Sequence, residues 1–145
     1  MCALFAWIFV SPAAPALAEP QSAAMMSPFM ENVVAGEVAK RGDILQELLS
    51  QYYRLAPRDE VEAAESEANG AGCDGVEACM GEIRRILGVD VVYHLRVDDQ
   101  GYVDPVHLTR LGDEGVVRQY TQCNRCTRRL YRKMLEELLR ATHDP

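Results

Sequence analysis

Little in this sequence equips it for chemistry. It holds three histidines in 145 residues, and none has an acid and a nucleophile beside it to complete a hydrolytic site. There is no glycine-rich phosphate cradle, no serine near a histidine and no spaced carboxylate pair, so the common nucleotide-binding and acid–base signatures are missing. The first eighteen residues carry no charged side chain. Their apolar run, 3–10, is too short to cross about 30 Å of hydrocarbon as a helix. No basic groove interleaved with aromatics accompanies the net charge of −7, which argues against nucleic acid as a partner.

What is present begins with an export pattern. The apolar run leads into a Pro- and Ala-rich stretch ending Ala16-Leu17-Ala18, the small-x-small ending that a signal peptidase pocket accepts. Residues 1–18 are therefore expected to be a signal peptide cleaved after Ala18, although no Lys or Arg precedes the run. No cysteine stands at the cleavage point, so no lipid anchor is expected. Cleavage removes Cys2 and leaves Cys73, Cys79, Cys123 and Cys126, an even set suited to an oxidising compartment. Four cysteines allow three pairings. The local pairs, 73 with 79 and 123 with 126, need the least chain closure, each worth roughly 2 kcal/mol on the loop-entropy view.

All of the charge falls after residue 18, unevenly. Residues 59–82 hold eight acids (Asp59, Glu60, Glu62, Glu65, Glu67, Asp74, Glu77, Glu82) and no base. Residues 118–140 hold seven bases (Arg118, Arg125, Arg128, Arg129, Arg132, Lys133, Arg140) against Glu136 and Glu137. Such patches either meet within the fold, face partners, or are simply solvated helix faces.

Periodicity orders the rest. Residues 19–42 read as a flexible leader or a short helix, weakened by Gly36 and Gly42. Asp43 can cap a helix whose apolar face is Ile44, Leu45, Leu48, Leu49 and Tyr52. A brief strand over 53–56 ends at Pro57, and an Ala- and Glu-rich helix spans 58–68. Val76, Cys79, Met80, Ile83, Ile86 and Leu87 make one stripe at 3.6 spacing, stopped by Gly88. Val89, Val91, Tyr93, Leu95 and Val97 then alternate as a strand. Two more strands follow, one near 102–108 with Pro105 marking an edge or bulge, one over 116–121. A last helix, about 127–141, buries Leu130, Met134, Leu135, Leu138 and Leu139. The expected fold class is α/β, a small mixed sheet with an antiparallel meander covered by helices, in one domain over 43–141.

The run Cys73-Asp74-Gly75-Val76-Glu77-Ala78-Cys79-Met80-Gly81-Glu82-Ile83, then Leu87-Gly88-Val89-Asp90-Val91-Val92, resembles a recurring bacterial envelope pattern. A C-x-x-x-x-C helix runs there into a strand, followed by a meander and a terminal helix. The region is similar to the amino-terminal-like module of TolB and to the CsgG-, FlgO- and LpoB-like group. It departs in lacking a convincing strand before Asp43 and in having Val89 and His94 where small residues are usual. The resemblance implies a non-catalytic module that docks to other envelope proteins from the periplasm, with no functional residues to carry over.

Three chemistries compete with that reading. Cys123-Asn124-Arg125-Cys126 is a C-x-x-C opening a helix, and the helix end with Arg125, Arg128 and Arg129 nearby would favour a thiolate at Cys123. A small thiol oxidoreductase is thus the alternative function. Zinc on all four cysteines is disfavoured by the five-residue gap between Cys73 and Cys79. His94 and His107 fall on neighbouring strands, at positions expected to face solvent, and His143 lies in a frayed tail. No catalytic residue, metal ligand or cofactor is therefore expected. The candidate interaction face is Arg125, Arg128, Arg129, Arg132 and Lys133 on the last helix.

Overall fold

A strand buried on both faces forces the rest of the chain into layers. The structure, a computed structural model, describes residues 19–143, so the expected signal peptide lies outside the described residues. The central strand β4 (Val91–Asp98) presents Val91, Tyr93, Leu95 and Val97 to one side and Val92 to the other, all buried. Helices α1 (Ala35–Leu49) and α4 (Arg128–His143) close the first side; α2 (Arg58–Gly70) and α3 (Val76–Leu87) close the second.

The sheet is six-stranded and mixed. β1 (Ser22–Met25) lies between the two-residue β3 (Arg54–Leu55) and β4, parallel to both. β4, β5 (Val103–Gly112) and β6 (Gly115–Asn124) form the antiparallel meander. β2 (Phe29–Glu31) continues the line of β1 along β4, giving the order β3-β1-β4-β5-β6 with β2 beside β4. The path from Met25 to Phe29 is one residue longer than that from Tyr93 to Arg96, a bulge at Ser27-Pro28. Glu65 of α2 accepts from the freed Ser27 N–H at 2.6 Å and from its hydroxyl at 2.7 Å.

The expected mixed sheet with a helix-covered meander is what forms. The stretch 19–42, expected as a flexible leader or a short helix, holds β1, β2 and the first two turns of α1. Among the described residues the folded unit therefore reaches back to Ser22 instead of starting at 43, and a strand does precede the Asp43 helix. Its inward residues are Ala23 and Ala24, both fully buried. Alanines leave no periodic apolar signal, yet only small residues let α1 and α2 approach the same strand from opposite sides. Gly42, read as a helix weakener, is likewise a packing device, since a Cβ there would meet Pro28 Cγ at 3.2 Å.

Asp90 anchors β1. Its Oδ2 accepts from Ser22 N–H at 2.7 Å and from Ser22 Oγ at 2.8 Å, while its own N–H donates to the Ser22 carbonyl at 3.1 Å. Arg84 Nε donates to the Asp90 carbonyl at 2.9 Å, tying α3 to the same corner. Gly88, left-handed at φ 62°, turns the chain from α3 toward it. Pro105 sits in an interior strand, one residue past the last β4 pair, Val97 with Val106. The Tyr102 carbonyl faces β6, so by alternation position 105 faces the β4 side, where no rung is lost.

The Ser22 N–H and hydroxyl hold the Asp90 carboxyl below the ordinary aspartate value of 3.8. A depressed acid stabilises the fold above its unfolded value and loses that contribution as pH falls through the folded value. Asp90→Asn should thus be less stable than the wild type in urea at pH 7, with the gap closing below pH 3.8. A gap of equal size at every pH would assign the loss to shape instead of charge.

Candidate functional site

The basic side of α4 and the residues around it form the candidate site. β6 ends at Asn124, Arg125 takes a left-handed turn at φ 48°, and α4 starts at Arg128, where Thr127 Oγ1 caps the Leu130 N–H at 3.3 Å. Arg125 lies over the Tyr102 ring, 5.3 Å from its centre. Arg128, Arg129 and Lys133 are exposed and, among the described residues, take part in no ion pair. Arg132 differs: it grips Glu47 of α1 through Nη1 and Nη2 at 3.0 and 3.1 Å and reaches Glu136 at 3.4 Å. That pairing draws Glu47 below the usual carboxylate range. Of the five residues expected to form one face, four point outward and one clamps α4 to α1.

The face extends beyond the residues expected of it. Lys40 and Arg41 of α1 join Glu37, Ile44, Cys126, Arg128 and Tyr131 around a cleft of about 240 Å³. Arg41 Nη1 stands 3.1 Å from Asp104 Oδ2, off the line of a hydrogen bond, and its guanidinium lies 5.3 Å from the centre of the Tyr131 ring. Burial pushes the Asp104 carboxyl up against the opposing pull of Arg41. The signal for these residues was the adjacent pair Lys40-Arg41, readable only once 35–42 is recognised as helix.

Both local disulfides close. Cys73 and Cys79 have Cα atoms 5.1 Å apart and Cys123 and Cys126 5.5 Å apart. They lie on opposite sides of the sheet, Cys73 against the α2–α3 core and Cys126 against the α1–α4 core, so the four sulfurs cannot share an ion. No three His, Cys, Asp or Glu side chains converge to hold a metal among the described residues. Cys123 is the next-to-last residue of a strand instead of opening a helix, and it is buried. The helix-end activation expected for its thiolate is therefore not built here.

His107 is exposed on its strand as expected, whereas His94 and His143 depart from their expected places. His94 is 7% exposed, and burial lowers its pKa. It pairs across the hairpin with Thr109, while His107 pairs with Arg96, so the two imidazoles sit on different rungs. They line a shallow groove of about 200 Å³ with Val76, Glu77, Arg96, Thr109 and Arg118. His143 is not frayed: it ends α4, and its Nδ1 lies 2.8 Å from the Tyr53 hydroxyl, itself 3.0 Å from that of Tyr93. Burial drives the Tyr93 phenol well above its ordinary value, so Tyr93 keeps its proton and its hydrogen bond to Tyr53.

No protein-family model matches the chain, and no curated protein matches it in sequence. Solved structures do match in fold. The C-terminal domain of LpoB from Salmonella enterica aligns at a TM-score of 0.56 with 10% identity, covering 77% of this chain and 88% of that one. The chain has an LpoB-like fold. Lipoprotein GNA1162 from Neisseria meningitidis aligns at 0.50 with 14% identity over 86% of this chain and 98% of that one. The PelC dodecamer from Paraburkholderia phytofirmans aligns at 0.51 with 15% identity over 88% and 91%. No helix among the described residues is long and apolar enough to cross a membrane.

An inert Cys123–Cys126 bridge has a direct readout. Alkylation of the native protein under mild reductant at neutral pH should leave Cys123 unlabelled by intact mass, with labelling only after denaturation. Rapid native labelling of Cys123 would make the bridge redox-active.

Proposed function

We propose that the chain is a non-catalytic interaction module of the bacterial cell envelope, working in the periplasm after loss of residues 1–18. Its docking face is the outer side of α4, with Arg125, Arg128, Arg129 and Lys133, continued by Lys40 of α1, which pairs with Glu37 at 2.7 Å. Arg132 and the disulfides of Cys73 with Cys79 and Cys123 with Cys126 keep that face in shape. The observation that carries the reading is the run of exposed α4 cations without ion-pair partners among the described residues, set on a helix fixed to α1 and the sheet. Such a face steers an acidic protein surface toward it and loses hold as salt rises. The likeness in fold to LpoB and to a lipoprotein supports the envelope setting.

The alternative, a thiol oxidoreductase, finds no support in the site. The attacking sulfur of such an enzyme must reach its substrate, and Cys123 is 6% exposed.

The test is site-specific photo-crosslinking in intact cells. A crosslinker at Lys133 should capture one envelope protein through an acidic region of it, whereas one at Glu62, on the far side of the sheet, should not. Arg128→Glu combined with Arg129→Glu should abolish the Lys133 crosslink while leaving the thermal midpoint unchanged. Capture that ignores both charge reversal and crosslinker position would end the docking proposal.

A further inference from the structure

The side of the sheet away from α4 is only half covered. α2 and α3 close over Val92 at one end of it, and beyond them its residues are polar or aromatic. The strand register lays these residues out in two rows. His94, Thr109 and Arg118 form one row, and Arg96, His107 and Tyr120 the next. α3 begins at the rim of the groove between them, where Val76 and Glu77 form part of the wall.

One member of the first row does not belong on a solvated surface. His94 is 7% exposed, yet its side chain makes no hydrogen bond among the described residues. Its ring nitrogens are not sealed off either, so what remains open of the residue is turned into the groove. Burial holds the imidazole below its ordinary value of 6.5, so at neutral pH it offers one N–H and one lone pair. A buried polar group without a partner is rare, because it has given up water and gained nothing. The groove in front of His94 has room for a partner.

The other groups around the groove define that partner. Arg96 and Arg118 bring two guanidiniums and Thr109 a hydroxyl. α3 adds the free N–H groups of its first turn, since Gly75 at its N-cap has no side chain to bond them. Nearly all of these are donors. The one carboxylate in the lining is Glu77, which pairs with Arg118 at the rim. Both side chains of that pair are well exposed, so water competes for it and it is weakly held. Glu31 lies outside the groove and reaches Arg96 only at 3.7 Å, and Glu65, the acid nearest His94 on α2, is occupied by Ser27. Two guanidiniums against one carboxylate leave the lining with one positive charge in excess. A monoanion balances that excess. A phosphate dianion would overshoot it, on a chain whose net charge is already −7.

The second row receives the body of the ligand. The His107 ring lines the groove and packs against the Tyr120 ring, centres 4.7 Å apart, which makes a flat wall beside Arg96. A planar ring stacks well on such a wall. The groove holds about 200 Å³, below the usual size of a ligand pocket, which limits the guest to a small molecule.

We propose that this groove binds a small aromatic carboxylate, with its carboxylate over Thr109 between His94 and Arg118 and its ring against His107. The site lies across the sheet from the α4 face and is independent of the docking role proposed for that face.

The test is titration of the isotope-labelled protein with benzoate at constant ionic strength. The His94 ring and Thr109 amide signals should shift saturably. Acetate, which lacks the ring, and benzamide, which lacks the charge, should each bind at least about tenfold more weakly. Arg118→Gln should weaken benzoate by about fivefold or more. Glu77→Gln, which frees Arg118, should strengthen it. Arg140→Gln, an exposed cation on the far side of the sheet, should change nothing. Shifts on the wild type need no variant to fold. Absence of a saturable shift at His94 would overturn the proposal. So would benzamide or inorganic phosphate binding as tightly as benzoate, or benzoate binding that ignores both Arg118→Gln and Glu77→Gln.

Discussion

Everything in this molecule depends on β1 being inserted between β3 and β4. The insertion rests on Ser22 and Asp90, whose backbone and side-chain groups hold one another in a closed ring of hydrogen bonds at the mouth of the sheet. Once Ser22 is registered, Ala23 faces α1 and Ala24 faces α2, and the two small side chains set how closely both layers approach. Lose that register by one residue and the faces of β1 exchange. α1 then has no strand beneath it, and neither α4 nor the clamp of Arg132 on Glu47 has a fixed support.

The second layer of determination is polar. Under α1 and α4, a sheet of aliphatic side chains would be held by area alone, which specifies a helix's depth better than its rotation. The Tyr53, Tyr93 and His143 cluster and the Arg41, Asp104 and Tyr131 cluster add direction. Each joins α1 or its following turn to α4 or the meander. A buried hydroxyl or carboxylate that leaves its partner loses more than the hydrogen bond is worth when made. Rotation of α4 about its axis is thereby penalised, and the outward line of cations keeps one bearing.

How far the sequence foretold this depended on volume. α3 and β4 were readable because Met80, Ile83, Val91, Tyr93 and Leu95 are large enough to mark their period. β1 was not, since a four-residue strand whose buried pair is Ala-Ala is a strand by virtue of its neighbours, not its propensity. The start of α1 was hidden for the opposite reason: Gly36 and Gly42 argue against helix locally, and only the close passage of Pro28 over position 42 shows why a glycine stands in the helix there. In the candidate site, composition was enough to mark Arg128, Arg129 and Lys133. It could not divert Arg132 to Glu47, which is 85 positions away. Nor could it bury His94, whose fate depends on α3 and α2 closing over that end of β4.

The division of helices between the two faces has an electrical consequence. The acids of α2 and the bases of α4 are separated by the thickness of the sheet, which has little net dipole of its own. The protein is therefore a permanent dipole whose axis runs through the layers and not along the strands. In the field outside any negatively charged boundary it experiences a torque that turns α4 inward and α2 outward before contact is made. Its orientation on arrival is set by the order in which the chain lays its helices down.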